Sequence, residues 1–347
     1  MSLSRKNRQE IIGALLREIG RSQFYEDFSV TEFAESCGLS RQSIYRYLEE
    51  LEMEGKIKKL PGKYNYRLID THYQQKYVIK DLEEGSVWEC DISPILQDLP
   101  EIAFKSCAYA FCEMLNNAIE HSEGTEVVVG VSINAFSITF QIVDDGIGIF
   151  TKIASAMRFR EKRYSILELA KGKFTTDPKS HTGEGIFFSS KASDVFGIFS
   201  DDLVFSSINY RGDDNERLLN YKHTQSGGTS VVFVVFRDHC VPTSELFDRY
   251  TKEPDHYGFT KTIVPVKLLE YGEARPTFVS RSQARRLLAR FERFERIELD
   301  FSGIEEIGQG FADEIFRVFT SLHLESEITA INCNIQVDKM IKHVSRH

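Results

Sequence analysis

The sequence predicts an α+β protein of several domains, and three observations carry that prediction. A helix, a glycine turn, a second helix and a basic hairpin fall within residues 1–70. A long two-faced helix, strands and glycine-rich turns follow in 71–240, and strands alternate with helices in 258–347. At 347 residues, with about 150 residues per domain, two or three cores have room to form.

In the first unit, Thr31 to Cys37 reads as a short helix, Gly38 as a turn, and Ser40 as the N-cap of a second helix running to Leu51. That helix turns Ile44, Leu48 and Leu51 inward and leaves Arg41, Gln42, Tyr45 and Arg46 on its outer face. Those residue types meet phosphates and base edges in a major groove. Gly55 to Leu68 then reads as two short strands around Pro61-Gly62, carrying Lys58 and Lys63.

The segment Ala110 to Ser122, AFCEMLNNAIEHS, divides into two faces when wound as a helix. Ala108, Phe111, Cys112, Leu115, Ala118 and Ile119 share one side; Glu113, Asn116, Asn117 and Glu120 share the other. A solvated surface helix has the same pattern. Glu113 and Asn117 stand at i and i+4, so a carboxylate and a carboxamide converge on one point. Magnesium suits such a pair, because it prefers few hard oxygen ligands and keeps its waters and phosphates; Glu113 is then free to orient or deprotonate a nucleophile.

Ser137 to Asp144 alternates Ile138, Phe140 and Ile142 with polar residues, as a half-buried strand does, and Asp144 falls on the apolar side. A carboxylate aimed at a core needs a donor, such as an amino group on a ligand. Gly146 and Gly148 follow in DDGIGI, removing side chains where a flat ring would lie. Beyond the polar, Lys-rich stretch Phe150 to Ser180 comes HTGEGIF, in which Gly183 and Gly185 precede a helix start and expose backbone NH groups suited to phosphate. Gly227-Gly228-Thr229 leads into the apolar strand Val231 to Phe236.

In the third unit, after a polar linker from Arg237 to Tyr257, the spacing predicts a strand over Thr262 to Leu269, a helix over Ser280 to Phe294, a strand over Ile297 to Phe301 and a helix over Gly310 to Leu322. Alternation of this kind makes a small α/β layer.

The helix, DDGIGI and HTGEGIF, in that order, resemble the N, G1 and G2 boxes of the GHKL ATPases. This is the superfamily of gyrase B, bacterial histidine kinases, MutL and the anti-sigma serine kinases. The resemblance implies a central Bergerat α/β sandwich that takes ATP and Mg2+. Asn117 becomes the magnesium ligand, Asp144 the partner of the adenine amino group, and Gly146, Gly148, Gly183 and Gly185 backbone contacts to nucleotide. Thr229 becomes the last adenine-side contact, and Phe150 to Ser180 a mobile lid with Lys171, Lys173 and Lys179 available to phosphate. Glu113 sits where hydrolytic members and anti-sigma kinases carry a catalytic Glu, and where histidine kinases usually carry Asn, which disfavours a histidine kinase. The first unit resembles a winged helix-turn-helix, a module that binds DNA and also serves in dimerisation or docking. RSQARRLL with IELDFSGIEEIGQGFADEIFRVF resembles the STAS-like domain that accompanies GHKL modules in bacterial regulators. The loop Ile307-Gly308-Gln309-Gly310 lacks the hydroxyl that STAS-fold antagonists phosphorylate, and Ser302 lies too early to replace it.

The formal net charge of -9 argues against nonspecific coating of nucleic acid without excluding one basic face. No apolar run approaches the roughly 20 residues of a membrane span, and MSLSRKNRQE lacks the apolar stretch of a signal peptide, so a cytoplasmic location is expected. Cys37, Cys90, Cys107, Cys112, Cys240 and Cys333 are scattered, as reduced core residues are. The expected function is an ATP-binding, ATP-hydrolysing regulator that couples nucleotide state to DNA through the winged helix or to a protein partner through the STAS-like unit, as monomer or homodimer. The alternatives are an anti-sigma-type serine/threonine kinase and a nonenzymatic ATP-gated scaffold.

Overall fold

The computed structural model describes residues 5–22, 28–61, 66–175, 183–209, 227–251, 258–271 and 276–345. At its centre is a six-stranded antiparallel sheet in the order β3-β4-β5-β8-β6-β7. The strands are β3 (Thr71–Val78), β4 (Glu126–Ile133), β5 (Ser137–Asp144), β6 (Val195–Ser200), β7 (Leu203–Ile208) and β8 (Ser230–Phe236). β5 keeps the predicted alternation: Ile138, Phe140, Ile142 and Asp144 are all buried on one side. β8, a continuous run of apolar residues, is instead buried on both faces, the arrangement that such a run favours.

On one face, Val129, Phe140, Ile198 and Phe233 belong to the main core with Phe111, Met114 and Leu115 of the helix α5 (Glu101–His121) and Phe187 and Phe188 of α8 (Gly185–Ala192). Phe140 stacks on Phe233 with ring centroids 4.6 Å apart. The buried stripe of α5 runs through Ala103, Cys107, Ala110, Met114 and Ala118, rotated slightly from the predicted one, so that Ala108, Cys112 and Ile119 are only half-buried. Trp88, on the irregular helical run that begins with α4 (Glu84–Val87), closes this core at 5.6 Å from the Phe111 ring.

The opposite face carries the N-terminal unit. Val195, Ile208, Val234, Phe236 and Phe136 share a second core with Leu15, Ile19, Phe33, Ile44, Leu48 and Leu51. This unit comprises α1 (Arg5–Ser22), α2 (Val30–Ser36), α3 (Arg41–Met53) and a hairpin of β1 (Ile57–Lys59) and β2 (Tyr66–Leu68). Ser29 and Ser40 cap α2 and α3 by accepting from the backbone of Glu32 and Ser43. α1, which the sequence pattern did not single out, lies on the sheet so closely that a side chain at Gly20 would meet the Phe136 ring.

The C-terminal unit is a three-stranded parallel sheet, β11-β10-β9, with β9 (Lys261–Pro265), β10 (Arg296–Asp300) and β11 (Glu327–Ile331). The chain is thus an α+β multi-domain protein with a small C-terminal α/β region. The predicted strand over Thr262 to Leu269 ends at Pro265 and continues as a 3-10 turn, because proline has no NH for the ladder. The predicted helix to Phe294 stops as α10 (Arg281–Leu288); Arg290 adopts a left-handed conformation, and a 3-10 turn follows. From Gln309 to Leu322 the chain is helical, as α11 (Gln309–Asp313), a π-helical stretch and α12 (Thr320–Leu322), and α13 (Ile335–Val344) follows β11. The expected linker from Arg237 holds a further helix, α9 (Thr243–Arg249). The cysteines are all free, yet Cys90 and Cys240 are exposed rather than core residues.

The polar stretch after DDGIGI is largely helical where it is described. α6 (Ile149–Met157) and α7 (Tyr164–Lys171) carry apolar faces into the main core, correcting the expectation of a wholly mobile segment from Phe150 to Ser180. α7 also buries charge. The Lys171 ammonium donates to Glu168 at 2.7 Å and to the carbonyls of Arg286 and Ala289 at 3.3 and 2.9 Å, and Arg290 donates to Glu168 at 2.8 Å. Lys171 and Glu168 are each 1% exposed. Removing one member of a buried pair leaves its partners charged and unsolvated. Glu168→Ala is therefore expected to cost roughly 3–5 kcal/mol of stability, checked by urea denaturation at neutral pH.

Candidate functional site

Seven of the sequence-predicted site residues line one cavity of about 320 Å³: Glu113 and Asn117 from α5, Asp144 at the end of β5, Gly148 at the start of α6, Gly183 and Gly185 before and at the start of α8, and Thr229 before β8. Its floor is apolar, from Met114, Ile142, Ile153, Ile198 and Val231. Gly146 lies outside this lining and packs behind it, against the Ser122 carbonyl.

Asp144 is 8% exposed, and its Oδ1 accepts from the backbone NH groups of Gly146 at 2.9 Å and Thr229 at 3.2 Å. Burial nevertheless raises its carboxyl above the ordinary aspartate value, against the pull of those two NH groups. Its neighbour Asp145 does different work. It accepts from the NH and hydroxyl of Thr125 and the NH of Glu126, with backbone NH bonds, Glu126 first, lowering its carboxyl, so it ties the turn to β4. Thr229 is buried and its hydroxyl accepts from the NH of Ile149 at 3.0 Å, which fixes the first turn of α6.

Along α5, the side-chain Nδ2 of Asn117 is buried and meets no hydrogen-bond partner among the described residues. A buried amide left without a partner costs free energy comparable to a lost hydrogen bond, so this atom marks a place suited to a ligand group. Asn116, one residue earlier, donates to Glu120 at 3.2 Å. Glu113 reaches toward α8: a Cβ at Gly185 would collide with Glu113 Oε2. A carboxylate beside the first turn of a helix is favoured by the helix dipole, and only glycine lets it approach this far. Among the described residues no three His, Cys, Asp or Glu side chains converge as a metal site.

Two lysines expected at phosphate are elsewhere. Lys171 is buried against Glu168, and Lys173 donates to the Arg293 carbonyl at 3.0 Å, its ammonium 4.8 Å from the Phe294 ring. Both face the C-terminal unit because its backbone carbonyls and aromatic faces offer them partners. Lys179 lies outside the described residues, as does Lys63. Lys152, which the sequence pattern did not single out, does line the cavity; it donates to the His121 carbonyl at 2.7 Å and to Glu123 at 3.1 Å. Its position one turn beyond Gly148, on a helix start, was the available signal. Phe174 and Thr175 also line the cavity.

On the N-terminal unit, Arg41, Gln42 and Arg46 of α3 and Lys58 of β1 are exposed on the surface, far along the chain from the cavity residues. Tyr45, expected on the outer face, is half-buried and packs on the second core. The guanidinium of Arg46 lies 5.7 Å from the ring of buried Tyr47.

A family model described as a STAS-like domain of unknown function (DUF4325) matches residues 283–338, which run from α10 into α13. A search of the curated proteins found no match. No helix among the described residues is long and apolar enough to cross a membrane.

The raised carboxyl of Asp144 has a consequence for stability. Folding favours its protonated form, so its contribution is full below the ordinary aspartate value and is lost as pH rises through the raised one. At neutral pH the charge costs stability. Asp144→Asn keeps a side-chain acceptor for Gly146 and Thr229 without the charge. The ligand-free variant is expected to melt above the wild type at pH 7, the gap closing as the pH falls toward the ordinary carboxylate range, as calorimetry across that range would measure.

Proposed function

We propose that this chain is an ATP-binding and ATP-hydrolysing cytoplasmic regulator of the GHKL type, which couples nucleotide state to DNA or to a protein partner through its end units. The observation that carries this reading is the convergence on one cavity of Glu113, Asn117, Asp144, Thr229 and the glycine turns from four separate stretches of chain. The volume lies at the lower end of the roughly 300–1,000 Å³ of small-molecule sites, and the mix of apolar floor with few polar groups is theirs too.

In this reading Asp144 accepts from the adenine amino group, a donor for its buried charge beyond the NH groups of Gly146 and Thr229. The Asn117 amide, with the nucleotide phosphates and water, would hold magnesium; the ion supplies charge neutralisation at the phosphates when bound. NH groups at the start of α8 face phosphate oxygens. Glu113 orients a water and takes its proton as the water oxygen attacks the terminal phosphorus and the bond to the ADP oxygen breaks. In the N-terminal unit, read as a winged helix, Arg41, Gln42 and Arg46 enter the groove and Lys58 meets the backbone, with Tyr45 supporting them from below.

Glu113 and Asn117 are neighbours with different tasks, so their variants are expected to split. Glu113→Ala keeps nucleotide and magnesium affinity and loses turnover by about 10²-fold or more, the worth of a general base. Asn117→Ala loses the magnesium-dependent part of the affinity. Calorimetry with and without magnesium, alongside phosphate release, separates the two; wild-type turnover in Glu113→Ala would overturn the catalytic assignment. Radiolabel found on a protein hydroxyl instead of in free phosphate would make the chain a kinase, and tight binding without either would make it a scaffold.

Arg41→Ala with Arg46→Ala is expected to weaken binding to the chain's own promoter region while leaving ATP affinity intact. The slope of log affinity against log salt should flatten by about 0.9 for each phosphate no longer neutralised. If the wild type shows no sequence-preferring DNA binding in a genome-wide pull-down, the unit docks protein instead.

A further inference from the structure

The cavity has one wall that the central unit does not hold by itself. Residues Lys173 to Thr175 leave the end of α7 and pass between the cavity and the C-terminal unit, and Phe174 and Thr175 line the cavity from that side. Behind them stands Arg290, in the left-handed turn that ends α10. One arm of its guanidinium donates to Glu168 at 2.8 Å, and the other donates to the Lys173 carbonyl. The same guanidinium lies 5.2 Å from the centre of the Phe174 ring. On the front of this wall, the turn that carries Gly183 packs against the backbone of Phe174: a Cβ at Gly183 would meet its carbonyl oxygen at 2.5 Å, and the φ of +73° is itself a glycine conformation.

Arg290 therefore meets this segment by its charge, through a backbone carbonyl and over an aromatic face, beside Arg293, whose guanidinium donates to the same Lys173 carbonyl at 3.4 Å and whose own carbonyl accepts from the Lys173 ammonium. We propose that Arg290 is a positioning residue for the nucleotide cavity, so that the C-terminal unit completes the site from behind and its docking and the cavity's occupancy are reciprocal. This rests on the nucleotide reading above for the identity of the ligand, though not for the geometry of the wall. Arginine is required in this role because its rigid fork reaches two acceptors at once. Reciprocity follows from linkage: whatever C-terminal docking adds to ligand affinity, ligand adds to docking.

The fork gives the test its discrimination. Arg290→Lys keeps a cation for Glu168 but loses the second nitrogen that stands at the Lys173 carbonyl and the planar face over Phe174, so it is expected to retain most of the thermal stability that Arg290→Gln loses. A merely structural Arg290 would then also regain ligand affinity in the lysine variant. Measured by calorimetry on the full chain at a temperature where all variants are folded, ADP and a non-hydrolysable ATP analogue are expected to bind Arg290→Lys about five- to tenfold more weakly than wild type, within the usual range of coupling between sites. In the ligand-free protein, hydrogen exchange is expected to rise in 173–175 and in 183–186 in both variants. Wild-type affinity in Arg290→Lys, or unchanged exchange in those two segments, overturns the proposal. Should the wild type bind no nucleotide at all, the proposed function fails, and the exchange experiment alone decides: raised exchange in 173–175 and 183–186 upholds Arg290 as the holder of that wall, and unchanged exchange removes it.

Discussion

Everything in this molecule is hung on a sheet whose β8-β6-β7 half is covered on both faces. β8 lies inside the six-stranded sheet, with Phe233 and Val235 turned to the main core and Val234 and Phe236 turned to the second. Each apolar side chain buried in this way contributes about 1.5–3 kcal/mol relative to exposure, so neither covering layer is dispensable to the strand. The N-terminal helices are consequently fixed to the back of the same sheet that presents Asp144 and Thr229 to the cavity. The C-terminal unit is fixed to its front through Phe259, whose ring lies 4.5 Å from that of Phe187, the residue two after Gly185. The end units are packed against the two sides of the site's scaffold, which is the physical condition for either of them to respond to what the cavity holds.

The cavity itself is a place where folding has accepted a cost. Two local rules are broken there: Asp144 keeps a carboxylate on the buried side of β5, and Asn117 keeps a buried amide nitrogen with no described partner. The NH groups of Gly146 and Thr229 offset only part of the cost at Asp144, where burial still raises the carboxyl, whereas Asp145, next in sequence, is fully engaged by Thr125 and Glu126. Sequences agree with their folds at most positions and depart from them at functional ones. The contrast between two adjacent aspartates, one satisfied and one strained by burial, singles out the cavity more sharply than its shape does.

Much of this was legible in the sequence, for identifiable reasons. The alternation in β5, the cap Ser40, and the position of Glu113 and Asn117 one turn apart are local properties, set within a few residues, and local patterns survive folding. What escaped is non-local. α1 has a local signal too, with Ile11, Ile12, Leu15, Leu16 and Ile19 at helical spacing; what is non-local is its partner, Phe136 and the back of the sheet. Tyr45 looked outward by helical spacing, yet tertiary packing draws it half inward. Thr262 to Leu269 is the exception, since Pro265, within the segment itself, is the local mark at which the strand ends.

The lysines after α7 show most plainly what spacing cannot carry. In the sequence, Lys171 and Lys173 stand close to a glycine-rich turn, and a cation there is as compatible with phosphate as with solvent. The decision is made by residues more than a hundred positions away. The carbonyls of Arg286 and Ala289 are exposed where α10 ends, and Lys171 satisfies them while Glu168 neutralises it. A buried cluster of two cations and one carboxylate is not the most stable way to join two units, since a well-packed apolar contact of the same volume is often at least as favourable. It does, however, admit very few geometries, because each donor must find its own acceptor. An apolar seam between α7 and α10 would let the units slide; this one fixes the register of α7 against the C-terminal unit, and with it the course of the chain from Gly172 into the cavity wall. The charges that looked available to a ligand are committed to holding the cavity wall in one shape.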